Sequence, residues 1–365
     1  MIKQIVFVAT RNNKGATGGP GGVVYMLKEV IGTSINEHLN CFYRFNTFPS
    51  NRRIFRILNK IIFIIKALVE KHTFYVAHDI DAAKMLSFLN KPYSLVYHNQ
   101  GPIVQESINF GKKLTHSQIE KIQITERIAF TKAVSLHFPS KGASDMYFNN
   151  QYRSVSLNEV KLGAPLYNTI PLSKITAIKE IQKDTNVTTF FSLGTLTQAK
   201  GQDQTVNFLE KLLMMSNKKI RYIVVGDGPM KDELINQCQK LEKQHQHFTY
   251  YYFSRLTHES VMYIHSIADV YIMLHRLSIF DFATLEAMNS HTAIILSPVG
   301  GNLDFNKKNN IIFAYGTYDE AILEYLKSDI QELKDKNQEV FNHYFSQTAF
   351  KQEYINNILK DIKSL

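Results

Sequence analysis

Four segments of this 365-residue chain carry the residue types from which an anion-binding site is made. In Gly194-Thr195-Leu196-Thr197-Gln198-Ala199-Lys200-Gly201, the Lys200 ammonium stands among glycines that give a phosphate room to approach. Gly226-Asp227-Gly228-Pro229 opens like a dinucleotide fingerprint, but Lys231 stands where the third glycine belongs, so that fingerprint is not supported. Asn12 to Gly22 holds five glycines, Gly21 and Gly22 among them, ahead of an expected helix whose N-terminus favours an anion. It lacks the GK[ST] of a P-loop, which argues against nucleotide hydrolysis of that type. The fourth segment, His275 to Met288, leaves an apolar run and enters a helix. Backbone amides near Ser278, Ile279, Phe280 and Phe282 could there meet a phosphate, with Glu286 one to two turns on. Each segment has an ordinary alternative: a glycine-rich surface loop, or a solvated glutamate.

The elements that must position these loops are legible as alternating apolar runs and amphipathic stretches. In the first half, runs at Ile5 to Ala9, Thr73 to Ala77 and Tyr93 to His98 alternate with helical patterns such as Val23 to Ile31. In the second half, strands are expected at Thr189 to Leu193, Arg221 to Val225, Phe248 to Phe253, Val270 to Leu274 and Ala293 to Leu296. Helices are expected between them, at Gln204 to Met215, Lys231 to Lys243, Glu259 to Ile267 and Phe282 to Met288. Such alternation reads as parallel sheets with crossover helices. Gly163, Pro165 and Pro171 break the pattern between the halves. The expectation is an α/β chain with two tandem doubly wound, Rossmann-like domains facing a cleft, spanning 1–170 and 186–344, with a C-terminal helix at 345–365.

Composition narrows the partners. Cys41 and Cys238 lie in no CxxC spacing, so no disulfide framework or cysteine metal site is suggested, and a reducing compartment fits best. MIKQIVFVAT lacks the apolar length and cleavage site of a signal peptide, and no run reaches bilayer-spanning length. A cytoplasmic protein is therefore expected. A net charge of +10 favours anionic partners: phosphorylated sugars, acidic lipids or nucleic acid. No nucleic-acid-binding module is recognisable, so no nucleic acid is expected. Residues 51–72 set Arg52, Arg53, Arg56, Lys60, Lys66 and Lys71 against one acid, Glu70, among Ile54, Phe55, Ile57, Leu58 and the run Ile61 to Ile65. That pattern suits an interfacial helix docking peripherally on the inner face of an anionic membrane, or equally a crossover helix with solvated basic residues. Asp79-Ile80-Asp81 spells DxD, but its place at a strand end makes a metal site unexpected.

In order and spacing, GGPGGV, TERIAFTKA, FPS, LGAP, SLGTLTQAKG, VVGDGP, FSRLTHESV, ADVYIM, ATLEAM and SPVGGNLDF resemble the retaining GT-B glycosyltransferases of family 4. The resemblance covers most of the chain. It implies a nucleotide-diphosphate sugar donor bound mainly by the second domain, an acceptor bound mainly by the first, and a C-terminal helix returning to the first. No metal and no cofactor beyond that donor substrate is implied. Lys200 matches the lysine that contacts the donor diphosphate, and Glu286 the glutamate that accepts from the ribose hydroxyls. Gly194, Gly226, Gly228, Arg255 and Leu256 match loops around the donor, Gly300, Gly301 and Asp304 a more variable loop, and Gly21 and Gly22 glycines near the donor phosphates. His98 in YHNQGP matches a histidine near the transferred sugar, with Glu106 a nearby polar candidate.

Two departures stand out. Thr195 occupies the place of a family arginine and Ser278 that of a first glutamate, so Arg276 is expected to supply a guanidinium and Asp281 a carboxylate. The expected activity is retaining, hexosyltransferase-type transfer from a nucleotide sugar to a hydroxyl of a glycan or lipid-linked acceptor, in bacterial surface polysaccharide or glycoconjugate synthesis. Retention without an obvious enzyme nucleophile places the burden on stabilising the departing diphosphate. A nucleotide-sugar epimerase of the same fold and a non-catalytic partner subunit are the rivals.

Overall fold

The computed structural model describes residues 2–10, 19–48 and 52–365. Asn12 to Gly18 of the glycine-rich loop, and Asn51, lie outside them. The chain divides into two compact units, Met1–Pro171 with Ser346–Leu365, and Leu172–Phe345.

The first unit is built from β1 (Gln4–Val8), α1 (Pro20–Ile31), β2 (Ser34–Asn36), β3 (Leu39–Arg44), α2 (Arg53–Val69), β4 (Thr73–Ala77), α3 (Ile80–Phe88), β5 (Tyr93–Val96), α4 (Ile103–Asn109), α5 (His116–Thr131), β6 (Ser135–His137) and α6 (Lys141–Phe148). Its sheet runs β2-β3-β1-β4-β5-β6, parallel except for β2, which pairs antiparallel with β3. Strands covered on both faces must be apolar throughout, and the β4 residues are all buried. The chain order reverses between β1 and β4, where Thr10 donates to Asp79 through both its amide (2.5 Å) and its hydroxyl (2.8 Å). Asp79 also caps α3 by accepting from the Ala82 amide (2.8 Å), so the carboxylate stitches two strand ends together. The Cys41 thiol is buried in this unit and Cys238 in the other; both are free.

The C-terminal helix, Gln347–Lys363, packs on α1 and completes this first unit. Its Asp361 carboxylate is 5% exposed and accepts from Ser94 Oγ (2.6 Å) and His137 Nε2 (2.9 Å), on β5 and β6. The other His137 nitrogen, Nδ1, faces the Ala164 carbonyl at 2.8 Å. The ring lies so close to Gly163 that a Cβ there would collide with it.

The second unit contains β7 (Thr188–Leu193), α7 (Gln202–Met215), β8 (Ile220–Val225), α8 (Lys231–Gln244), β9 (Phe248–Phe253), α9 (His258–Ile267), β10 (Val270–Met273), α10 (Phe282–Asn289), β11 (Ala293–Leu296), β12 (Ile312–Phe313), α11 (Asp319–Lys327) and α12 (Ile330–Val340). Its all-parallel sheet runs β12-β11-β10-β7-β8-β9, the dinucleotide-fold order, with the reversal between β7 and β10. Phe190, Tyr222, Val224, Ile272 and Ile295 lie in its core under α7 and α8. This unit starts earlier than the expected residue 186 because the preceding segment is tied to it. Thr176 donates to the Glu259 carbonyl (3.1 Å), Arg221 to that of Gln182 (2.8 Å) and Tyr263 to that of Ile181 (2.9 Å).

Replacing Asp361 by Ala strips two buried partners, and about 2–4 kcal/mol of stability should be lost. Urea denaturation followed by near-ultraviolet circular dichroism checks this; a loss below about 0.5 kcal/mol would show that the helix is held by its apolar face alone.

Candidate functional site

In doubly wound sheets, ligands bind beyond the carboxyl ends of the two strands between which the chain order reverses. In the second unit these are β7 and β10, and the loops leaving them carry Gly194 to Gly201 and His275 to Asp281. Gly201 fastens the loops together. Its φ of 69° is left-handed, and a Cβ there would collide with the Leu274 carbonyl oxygen. Arg276 and Leu277 then donate their amides to the Ala199 carbonyl, at 2.9 and 3.3 Å.

This docking fixes the Lys200 side chain. Its Nζ donates to Asp281 Oδ1 (2.7 Å) and lies 3.5 Å from His275 Nε2, while its stem passes the backbone of Gly194. Asp281 Oδ2 accepts from the Tyr271 hydroxyl (3.2 Å) and caps α10 through the Thr284 amide (3.2 Å). Burial opposes the Asp281 charge, but the adjacent Lys200 ammonium overrides it and holds the carboxyl well below its usual range. Burial, reinforced by Lys200, pushes the His275 imidazole down to about 3, so this ring is neutral. The arrangement presents one ammonium, held at its base by a carboxylate and 28% exposed at its side chain.

The glycines expected near a donor converge on the same strand ends. A Cβ on Gly226 would strike the Gly194 carbonyl oxygen and one on Gly228 the Leu196 backbone, so backbone lies directly on backbone there. Glu286 lies on α10, five residues beyond Asp281. Its Oε1 accepts from His258 Nε2 (2.8 Å), and its Oε2 is 3.6 Å from His265 Nε2. His258 Nδ1 in turn meets Ser173 Oγ (2.8 Å). The hydrogen bond to Glu286 raises the His258 value; burial raises that of Glu286 and is the largest single influence on it, but the hydrogen bonds and charges of His258 and His265 together outweigh it and lower it on balance. Tyr271 joins the two clusters, donating to Asp281 while its ring packs on His265 at 5.7 Å between centroids.

Other expected residues are placed differently. The Arg276 guanidinium forms a two-pronged pair with Asp203 (2.8 and 2.6 Å) and donates to the Gln198 carbonyl (2.7 Å), clamping the Lys200 turn onto α7. Phe280 buries its ring against Phe305 (4.4 Å) and Phe345 (5.5 Å). Ile279 stands between it and Ser278, whose hydroxyl is buried with no hydrogen-bond partner among the described residues and whose carbonyl accepts from the Gly301 amide. Gly300, Gly301 and Asp304 share one short turn, Gly300–Phe305. Arg255 is exposed and Leu256 half-buried after β9, two strands over from β7.

In the first unit, Gly21 and Gly22 form the first turn of α1 behind Pro20. His98 follows β5 with its Nε2 3.0 Å from His78 Nδ1, the rings stacked at 5.3 Å, and burial pushes it down to about 4. Glu106 accepts from the Asn99 side chain and the Gln100 amide. Sequence reasoning gave no role to His258, His265, His275, Tyr271 or His78. His275 had a local signal, since it opens the segment that contains Glu286; the rest reach their partners only through the fold.

Residues 173–361, 189 of the 365, match the family described as Glycosyl transferases group 1. An uncharacterized glycosyltransferase, MJ1607 of Methanocaldococcus jannaschii, is 27% identical over 143 residues, 39% of this chain and 35% of that protein, so the match spans about a third of the relative. Among solved structures, sucrose-phosphate synthase from Thermosynechococcus elongatus superposes with a TM-score of 0.67 at 13% identity, and Anabaena HepE in complex with UDP with 0.63 at 15%. Each of these matches covers all of both chains. These likenesses show the two-domain GT-B fold.

The Glu286–His258 pair carries a pH signature. The raised His258 value stabilises the fold fully below the ordinary imidazole value of about 6.5, and that support fades as pH rises through the raised value. The lowered Glu286 value stabilises above the ordinary carboxylate value of about 4.3 and fades on acidification. The Tm difference between wild type and His258→Ala should therefore be largest at about pH 5–6.5 and shrink by pH 8. A difference independent of pH would mean that packing, not charge, joins the pair.

Proposed function

Because the chain belongs to the glycosyl transferases group 1 family, we propose that it moves a sugar from a nucleotide-diphosphate sugar to a hydroxyl of a glycan or lipid-linked acceptor, with retention at the anomeric carbon. The observation that carries this reading is the Lys200 ammonium, fixed by Asp281 at the switch point of a dinucleotide-type sheet, beside glycine turns packed backbone on backbone. The HepE structure of the same fold contains UDP, which supports a nucleotide ligand for this fold. No metal or organic cofactor is invoked.

In this mechanism Lys200 meets the negative charge that accumulates on the departing diphosphate, where a preorganised cation is most effective. Asp281 aims the ammonium, and Arg276 fixes the turn that carries it. Glu286 accepts the ribose hydroxyls, exchanging its bond to His258 for them. His98, neutral at physiological pH, is the first unit's candidate for a hydrogen bond to a sugar hydroxyl. The hexosyl type and a role in bacterial surface polysaccharide or glycoconjugate synthesis belong to the same reading.

A lipid-linked acceptor is favoured by α2. Only Asn59, Phe63 and Ala67 of this helix are buried, while Ile54, Ile57, Ile61, Ile65, Leu68 and Val69 are exposed, Val69 to 72%. A crossover helix that merely covers the sheet would not leave that stripe in water. We assign it to the acyl boundary of an anionic membrane on the cytoplasmic side, with Arg52 and Lys66 toward the headgroups. No helix of the described residues is long and apolar enough to cross a membrane.

Thermal stabilisation by one of the UDP-, GDP-, ADP- or TDP-sugars is expected, together with about a hundredfold loss of turnover in Lys200→Ala. Glu286→Gln should weaken donor binding about tenfold, or ~1.4 kcal/mol. No response to any of the four donors would sink the reading, and a free nucleotide-sugar isomer formed without acceptor would make the protein an epimerase.

Sedimentation with anionic phosphatidylglycerol vesicles should be abolished by Ile61→Asp with Ile65→Asp. Wild-type protein that stays in solution with such vesicles at low salt would remove the membrane assignment.

A further inference from the structure

Beside the α2 stripe lies a cleft of about 550 Å³ in the first unit, walled by α2 on one side and by Asp81 and Met85 of α3 on the other. This volume is in the range of small-ligand sites. Arg53, Arg56 and Lys60 line it, and at 100° per residue they fall within about 60° of arc on the helix. Like charges at i, i+3 and i+7 repel one another along a helix face. Among the described residues none of the three forms an ion pair, and Asp81 is the one carboxylate in the lining, leaving an excess of two positive charges, three less one. The three side chains are exposed, so nothing in the packing of the fold requires them to be cationic.

The exposed aliphatics Ile54, Leu58, Ile61, Ile65 and Leu68 span about 80° of the adjoining arc. One helix thus offers a cationic face to the cleft and an apolar stripe next to it. Resting on the proposed transferase reading, we infer that this cleft is the seat of the acceptor's anionic group, a phosphate or diphosphate gripped by Arg53, Arg56 and Lys60. An apolar tail on that group would lie along the neighbouring stripe. The site specifies an acceptor already phosphorylated, so a reaction that attaches phosphate or diphosphate must precede this one.

The test is calorimetry with inorganic pyrophosphate, carried out in a Lys200→Ala background so that the second unit's cation does not contribute. Adding Arg53→Ala, Arg56→Ala and Lys60→Ala together should weaken binding at least tenfold. Arg56→Glu alone should weaken it as well, while Arg56→Lys largely preserves it, which decides the matter if the triple variant folds poorly. Unchanged affinity in the triple variant and in Arg56→Glu, or no binding to the Lys200→Ala chain, overturns the proposal. Geranyl diphosphate tells the two sources apart. Binding several-fold tighter than pyrophosphate supports a lipid-borne group, and equal binding supports a soluble phosphorylated acceptor. Nucleotide-sugar stabilisation of the triple variant is read in parallel. If pyrophosphate depends on the three cations but no nucleotide sugar stabilises any form, the anion seat stands and the transferase reading falls.

Discussion

The second unit's site depends on one carboxylate remaining charged where burial disfavours charge. Asp281 is held ionised by Lys200, and in return it aims Lys200, receives Tyr271 and caps α10. A single group thereby ties the ends of β7 and β10 to the helix that carries Glu286. A buried ion pair adds little net stability once both charges have been desolvated, so its value here is positional. It sets where an ammonium stands relative to the glycine turns, and those turns can pack backbone on backbone only because no Cβ intrudes at Gly201, Gly226 or Gly228.

Around that pair the electrostatics are graded. His275 beside Lys200 is neutral, and burial keeps it so. Arg276, one residue on, faces the opposite way and closes on Asp203, which lowers the flexibility of the Lys200 turn without adding charge to the anion side. The two departures from the family pattern, Thr195 and Ser278, therefore leave the Lys200 ammonium as the cation at the reversal point of the sheet. The Glu286 cluster of two histidines is a separate arrangement joined through the Tyr271 ring, so donor phosphate and nucleoside would meet different chemistries on one short helix.

Much of the architecture is legible in the chain itself, because parallel strands buried on both faces must be continuous apolar runs. Thr189 to Leu193 and Val270 to Leu274 are read almost to the residue. The antiparallel β2 was missed, being three polar-flanked residues with no apolar alternation. Lys200 and Glu286 could be singled out because they sit in local motifs at strand-to-helix junctions. What Arg276 does could not be read. Its partner Asp203 lies 73 residues away in sequence, and a guanidinium beside a glycine-bounded strand-to-helix turn serves equally well as ligand or as clamp until that partner is known. The same holds for His258, whose bond to Glu286 spans 28 residues. Local spacing identifies which side chains belong to a site; which of them face a ligand is decided by non-local pairing.

The chain closes its first unit last. Strands β5 and β6 present Ser94 and His137 to a carboxylate that is 267 and 224 residues further along, on the C-terminal helix. During synthesis, roughly the first 170 residues emerge with two polar side chains facing an uncovered site, while the second unit contains all its own elements. The leading unit can therefore be completed only after residues 346–365 have been made, and a nascent chain stalled or clipped before residue 346 would contain one finished unit and one unfinished one. Quality control that recognises unburied polar and apolar surface would then act on the first unit for a fault 224 to 267 residues further along the chain.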